Sequence, residues 1–174
     1  MDYPDFYTCP ERGKLKLRGS AWRDLDAMAR VDRLSFDEPL TREQIKQRTD
    51  RGWGYVIEAE RQNDAVAYLI ARRARRGSIR IDRVAVHPAF RRIGLATWLL
   101  AAQCGVLRKD HEQLVTALVP EHDTPAQLLL RKAGFFARGM AKEKILMSMS
   151  RDEWIGSRVI DRLGRGEIRV LDVV

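Results

Sequence analysis

The stretch "GSIRIDRVAVHPAFRRIGLATWLL", Gly77 to Leu100, decides the fold. Its first half is a strand with a fault in its rhythm. The apolar residues Ile79, Ile81, Val84 and Val86 are spaced two, three and two apart, whereas the side chains of a β-strand alternate faces with period two. A step of three throws the apolar side onto the other face unless one residue is surplus. A β-bulge near Asp82–Arg83 absorbs it; a strand buried on both faces, where alternation loses its meaning, is the other reading. Pro88 ends the strand. A helix from about Ile93 to Lys109 follows, with Leu95, Leu99, Ala102 and Val106 as its apolar stripe. Arg91 and Arg92 stand at the amino end of this helix, where orphan N–H groups already carry partial positive charge. Cationic side chains there raise the repulsion unless an anion arrives. The loop therefore reads as a seat for a phosphate-bearing ligand, with Gly94 permitting close approach of the backbone. A generic helix start is the plainer alternative.

Upstream, "KLKLRGS" (Lys14 to Ser20) alternates as a short strand. Ser20 is placed to cap a helix carrying Leu25, Met28, Ala29 and Leu34. Thr41 opens a second helix with Gln44 in capping-box position, and Gly52 ends it. "GYVIEAE" and "AVAYLIARR" are strands joined by the turn "RQND". Downstream, "EQLVTALVP" is a strand, and "TPAQ" opens a helix with Thr124 as cap, Pro125 in the first position and Gln127 completing the box. Gly134 closes that helix before the strands "FFARGMA" and "EKILMSMS". The order is β, α, α, β, β, β, α, β, α, β, β, a mixed α/β layer fold.

A chain of 174 residues fits one domain that buries a core without disulfides or metals. Cys9 and Cys104 make no framework and no metal pattern, and the histidines have no ligand spacing. No metal is expected. The first residues lack the apolar core of a secretion signal, and no run is long and apolar enough to span a membrane, so the expected location is the cytoplasm. The charge is +8 and arginine dominates. That suits phosphate recognition, although codon bias gives the same excess. "ARRARRG" (Ala71 to Gly77) is the densest basic run, but no aromatics interleave it and no nucleic-acid motif accompanies it. Nucleic acid is therefore not the expected partner, and the run reads as a solvated strand end or hairpin.

"VAVHPAFRRIGLATWLL" (Val84 to Leu100) resembles the acetyl-CoA signature of the GNAT N-acetyltransferases, with Arg91, Gly94 and Ala96 at the motif positions. "LKLRGSAWRDLDAMARVDRLSF" resembles the first strand and helix of that family, and "DTPAQLLLRKAGF" its last helix with the closing Gly-Phe. The likeness runs from about Lys14 to Ser150. It is nearest the branch that acetylates ribosomal-protein amino termini, partly through "RLSFDEPLTREQI". The resemblance implies a mixed, mostly antiparallel sheet with a central bulged strand and flanking helices, forming one domain over 1–150 with 1–13 as an amino-terminal arm. It implies acetyl-CoA as co-substrate and an amine acceptor, a protein amino terminus or a small amine. It also implies that backbone groups of Val84, Ala85 and Val86 pair with pantetheine, and that Arg91, Arg92, Ile93, Gly94, Leu95, Ala96 and Thr97 form the pyrophosphate loop. Asp123 stands where an asparagine often contacts the cofactor.

The resemblance breaks at the proton-transfer positions. The branch places a carboxylate where this chain has Leu118 and a tyrosine where it has Leu130. Substitute candidates are Glu121 and Asp123 in "EHD", at the end of a strand beside the expected cleft, and Asp82 at the bulge. Each has a plainer reading: Glu121 and His122 as solvated loop residues, Asp123 flanking a helix cap, Asp82 paired with an arginine. His87 and His111 read as loop and surface residues. The competing function is a non-catalytic acyl-CoA-binding module that regulates a partner. The extension 151–174 reads as a short helix around Trp154, Ile155, Val159 and Ile160 and a strand "GEIRVLDVV" that completes the sheet or a homodimer contact.

Overall fold

The computed structural model describes residues 6–9, 13–74, 77–105 and 114–155. The strands are β1 (Phe6–Cys9), β2 (Gly13–Gly19), β3 (Trp53–Ala59), β4 (Asp64–Arg73), β5 (Ser78–Val86), β6 (Leu114–Pro120), β7 (Phe136–Ala141) and β8 (Lys144–Ser150). The helices are α1 (Leu25–Arg33), α2 (Arg42–Asp50), α3 (Leu95–Gly105), α4 (Thr124–Lys132) and the short α5 (Arg151–Ile155). All eight strands join one sheet in the order β1-β2-β3-β4-β5-β6-β8-β7. Among the described strands only β5 and β6 are parallel; the other pairings are antiparallel. A parallel pair needs a crossover connection, and α3 lies within that link.

β4 sits centrally and is buried from Ala65 to Ala71. One set of its side chains, with Leu69 and Ala71, packs with α3, α4 and Trp154 of α5. The other set, with Tyr68 and Ile70, packs with α1 and α2. α3 is buried on most of its circumference: Trp98, Leu99, Leu100, Ala101 and Cys104 are all in the core. A helix apolar all round belongs inside, so the one-sided stripe expected for it understates its burial. Val106 lies outside the described residues. Burial alone drives the Cys104 thiol pKa far up, which keeps it inert. No helix among the described residues is long and apolar enough to cross a membrane.

Several boundaries differ from the sequence reading. The arm expected over 1–13 contains β1, which pairs with β2 and extends the sheet. Ser20 does not cap α1. A 3₁₀ turn over Trp22–Asp24 precedes that helix, and Asp24 accepts from the Ala21 N–H at 2.7 Å and from Arg18 at 2.7 and 2.8 Å. Burial raises the Asp24 pKa, but these donors together outweigh it and hold the carboxyl below its usual range. The cap of α4 is Asp123, one residue before the expected Thr124: its Oδ1 accepts from Ala126 N–H at 3.1 Å. Gln127 instead donates to the carbonyls of Pro120 and Glu121. The Thr41–Gln44 box on α2 is present with both reciprocal bonds. "ARRARRG" straddles the β4–β5 connection as expected of a hairpin, with 75–76 outside the described residues. His111 and everything after 155, including the strand expected in the extension, also lie outside the described residues.

Asp32 ties α1 to the sheet. It is fully buried, at the position one turn after Met28 on the inner face of α1. Its carboxylate accepts from the Tyr68 hydroxyl, from Arg83 Nε and Nη2 at 2.9 Å each, and from the Leu40 N–H. Arg83 also donates to the Glu38 carbonyl and lies 3.5 Å over the Phe36 ring. Burial first, then the bond to Asp32, pushes the Tyr68 pKa well above its ordinary value, so the phenol stays a donor. One carboxylate thus fixes α1, the 34–40 segment and the middle of β5 to each other.

Three stability predictions follow from this packing. A Cβ at Gly52 would lie 2.1 Å from the Ala71 carbonyl oxygen, so Gly52→Ala is expected to destabilise by about 2 kcal/mol, roughly 4–8 °C in Tm. Asp32→Ala strands a guanidinium and a phenol in the interior, at a cost of about 3–5 kcal/mol. Tyr68→Phe removes one hydrogen bond and costs about 1–2 kcal/mol. Urea unfolding midpoints of the three variants check the ranking.

Candidate active site

The site begins with a surplus residue. Ile70 of β4 faces Arg83 of β5, and the next residue, Ala71, faces Ile81; Asp82 has no partner. This is the bulge that the apolar spacing predicts. Below it, Ser78–Ile81 pair in parallel with Leu114–Ala117 of β6. Above it, Val84, Ala85 and Val86 stay paired with β4 but not with β6, which continues with β8 as far as Pro120. The two strands part, and a cleft of about 630 Å³ opens there. Backbone groups on the parted side of β5 are left for a ligand or solvent. The Val86 carbonyl is an exception: it accepts from Arg91 Nε at 3.2 Å and Ser35 Oγ at 3.3 Å.

The loop after β5 is shaped by short-range contacts. His87 Nδ1 accepts from Ala89 N–H, and Pro88–Phe90 make a 3₁₀ turn that buries Phe90. His87 is thus a turn residue, as expected. Arg91 folds back, donating to the carbonyls of Val86 and Leu34. Arg92 is exposed and has φ +67°, and Gly94 has φ +81°. A non-glycine residue in the left-handed region costs about 1–2 kcal/mol, and such strain gathers where a loop must hold a set shape. The first rung of α3 runs from Trp98 N–H to Gly94 O at 3.0 Å. The N–H groups of Leu95, Ala96 and Thr97 precede that ladder and point out of the helix end. The site residues expected from β5 and the loop (Val84, Ala85, Val86, Arg91, Arg92, Gly94, Leu95, Ala96, Thr97), and Asp123 with them, line the cleft; Ile93 does not.

The sequence reading missed the other wall. Ser35 and Phe36 line one side, and Pro125, Ala126, Leu128, Leu129 and Lys132 of α4 line the other. The run Leu128–Leu130 is the trace that α4 leaves in the sequence: Leu130 is buried in the core while Leu128 is 51% exposed, more apolar surface than one packed face requires. Asp32, Tyr68 and Arg83, which hold the Phe36 wall, were also missed. An aspartate on the inner face of an apolar helix was the available sign.

The candidate proton-transfer groups are placed as follows. Asp82 is gripped by Arg72 Nε at 2.8 Å and Arg80 Nε at 3.2 Å, an ion-pair residue. Asp123 lines the cleft but spends one oxygen on the cap of α4. Glu121 is exposed, its N–H donates to the Glu143 carbonyl, and it does not line the cleft. Leu130 is 5% exposed, inside the core, whereas Leu118 is 37% exposed on β6 just past the last β5–β6 pair. Among the described residues no cluster of His, Cys, Asp and Glu is arranged to hold a metal.

Comparison by sequence with curated proteins finds no match. Solved structures are similar in fold. The ribosomal-protein-S18-alanine N-acetyltransferase from Escherichia coli aligns with TM-score 0.68 and 16% identity, over 78% of this chain and 93% of that one. Ard1 from Thermoplasma volcanium gives 0.70 and 20%, over 78% and 97%. The PaiA N-acetyltransferase from Thermoplasma acidophilum, in complex with coenzyme A, gives 0.69 and 12%, over 78% and 98%. The family model described as "Acetyltransferase (GNAT) family" matches residues 20–135, the span that holds the bulge, the loop and both walls of the cleft. With more than half its length matched, this chain belongs to the GNAT acetyltransferase family.

Proposed function

We propose that the chain transfers the acetyl group of acetyl-CoA to an amine, and that the acceptor is an α-amine such as a protein amino terminus. The observation that carries this reading is the cleft between β5 and β6, with the α3 amino terminus at its base. The residues fit the group. Leu95, Ala96 and Thr97 offer three N–H groups at a helix end, which favours a pyrophosphate. Gly94, at φ +81°, brings the backbone close to the anion. The parted edge of Val84–Ala85 offers strand-like pairing to an extended amide chain, and Phe36, Leu128 and Leu129 supply apolar walls. Acetyl-CoA supplies an activated acyl carbon and a thiol leaving group.

In the transfer, the neutral amine forms a C–N bond as the C–S bond breaks, the thiolate carries off the electron pair, and the amine loses a proton to solvent. The chain's own part is positioning, which contributes about 7 kcal/mol or more when two reactants are held in register. With Leu118 and Leu130 at the family's proton-transfer positions, the acceptor must bring its own reactivity. An α-amine of pKa about 8 is roughly a quarter neutral at pH 7.5, whereas a lysine at about 10.4 is only about a thousandth neutral. That difference favours the α-amine. The same two leucines support the second reading, a binding module that holds acyl-CoA without turnover. Release of free thiol in the presence of a mixed peptide panel separates the two. The proposed location is cytoplasmic; homodimer contact through the extension remains a proposal, to be checked by mass in solution before and after deletion of 165–174.

Gly94→Glu is expected to raise the dissociation constant for acetyl-CoA by about 100-fold, by blocking and repelling the pyrophosphate. Calorimetry reads this, and unchanged affinity would remove the assigned cradle. On a peptide α-amine the rate is expected to climb with pH and level off at about pH 8 to 9, as the amine becomes neutral. An Nα-blocked lysine peptide should still be climbing there. A flat profile from pH 6 to 9, or preference for the lysine peptide, would refute unassisted α-amine transfer.

A further inference from the structure

A second groove lies on the face of the sheet opposite α3, beside the point where β5 and β6 part. Ile79 and Ile81 of β5 point into the core beneath α3, so Arg80 between them points to the opposite face. Arg72 of β4 is directly across from Arg80, and Thr116 of β6 is its partner on the other side. Together with Leu118 and Leu146 these residues line a groove of about 580 Å³. Leu118 is the first residue of β6 beyond the last rung to β5, so the groove ends where the strands part.

The charge of the groove is not balanced. Arg72 and Arg80 line it, two cations whose shared carboxylate is the single bulge residue Asp82, buried to 10% exposure. Asp82 takes the Nε–H of both guanidiniums. Their Nη groups take no further protein partner among the described residues, and both side chains remain about one-third exposed. Two fixed forks beside an apolar floor suit a carboxylate, which accepts charge-assisted bonds from each, and repel a cation.

Resting on the transfer reading above, we propose that this groove receives the acceptor, and that Arg72 and Arg80 select an amine with a carboxylate close to it. The carboxylate belongs either to an acidic residue at a peptide amino terminus or to the α-carboxyl of a free amino acid. The bulge then serves both reactants: it parts the strands for the thioester, and its own side chain aims two arginines at the acceptor.

The test uses the full chain, acetyl-CoA and matched acceptors: peptides beginning Asp or Glu, their Asn or Gln counterparts, peptides beginning Lys, and free aspartate and glutamate. The acidic peptides are expected to show a KM about 10-fold or more below their amide counterparts. Arg72→Gln and Arg80→Gln should collapse that ratio through KM, and Arg80→Lys should restore part of it, which a mere folding defect would not. A preference for the free amino acids over the peptides assigns the α-carboxyl as the source; the reverse assigns the acidic side chain. Anisotropy of labelled acidic and amide peptides reads the groove without turnover. If acetyl-CoA fails to bind by calorimetry, the transfer reading falls, and the peptide binding still decides the groove. Equal KM and equal binding for acidic, amide and basic acceptors would overturn the proposal.

Discussion

One residue more on β5 than β4 can pair with sets the geometry of the molecule. Strands in a sheet stay together because each rung brings the next into register; a surplus residue twists and bends its strand and ends that propagation. Asp82 is that residue. Rungs to β6 stop at Ile81, and the cleft, the loop that follows β5 and the end of α3 lie beyond the stop. The break also fixes what surrounds it. Arg83, just after the bulge, reaches Asp32 and so holds α1 and Phe36 against the opening, while Asp82 itself collects Arg72 and Arg80.

Two arginines at the electropositive end of a helix are repelled there unless something compensates. The structure resolves half of that tension within the protein. Arg91 turns away from the helix and donates to carbonyls that no rung uses, pinning the loop to the end of α1. Arg92 stays exposed, in a backbone conformation that bends the chain toward the N–H groups of α3. In the proposed reading, the anion that offsets the remaining charge is the pyrophosphate, held mainly by backbone rather than side chains.

Leu118 and Leu130 are alike in the sequence and opposite in the structure. Leu130 is packed in the core; Leu118 sits in the open at the point where the strands part. A carboxylate at Leu118 would face Arg72 and Arg80, and its basicity would fall beside two guanidiniums. In the proposed reading the apolar residue therefore leaves both arginines to the acceptor, and an α-amine that is about half neutral near pH 8 needs no base from the chain.

The sequence by itself determined the alternation of elements, the bulge and the glycine loop before α3, because each rests on local physics: a period of two broken by a step of three, a proline, and a glycine before a helix. Capping was legible to within a residue. Thr41 and Gln44 form their box, while Asp123 displaced Thr124 because either side chain satisfies the same orphan N–H groups and only the path of the incoming chain selects between them. What only the tertiary structure decided depends on residues far apart in the chain. Asp32 reads as an aspartate without a partner on the inner face of a helix until Arg83 and Tyr68 arrive from β5 and β4 to neutralise and bond it. Arg72, Arg80 and Leu118 become one groove only when β4, β5 and β6 align, since no local pattern encodes which side chains share a face across strands.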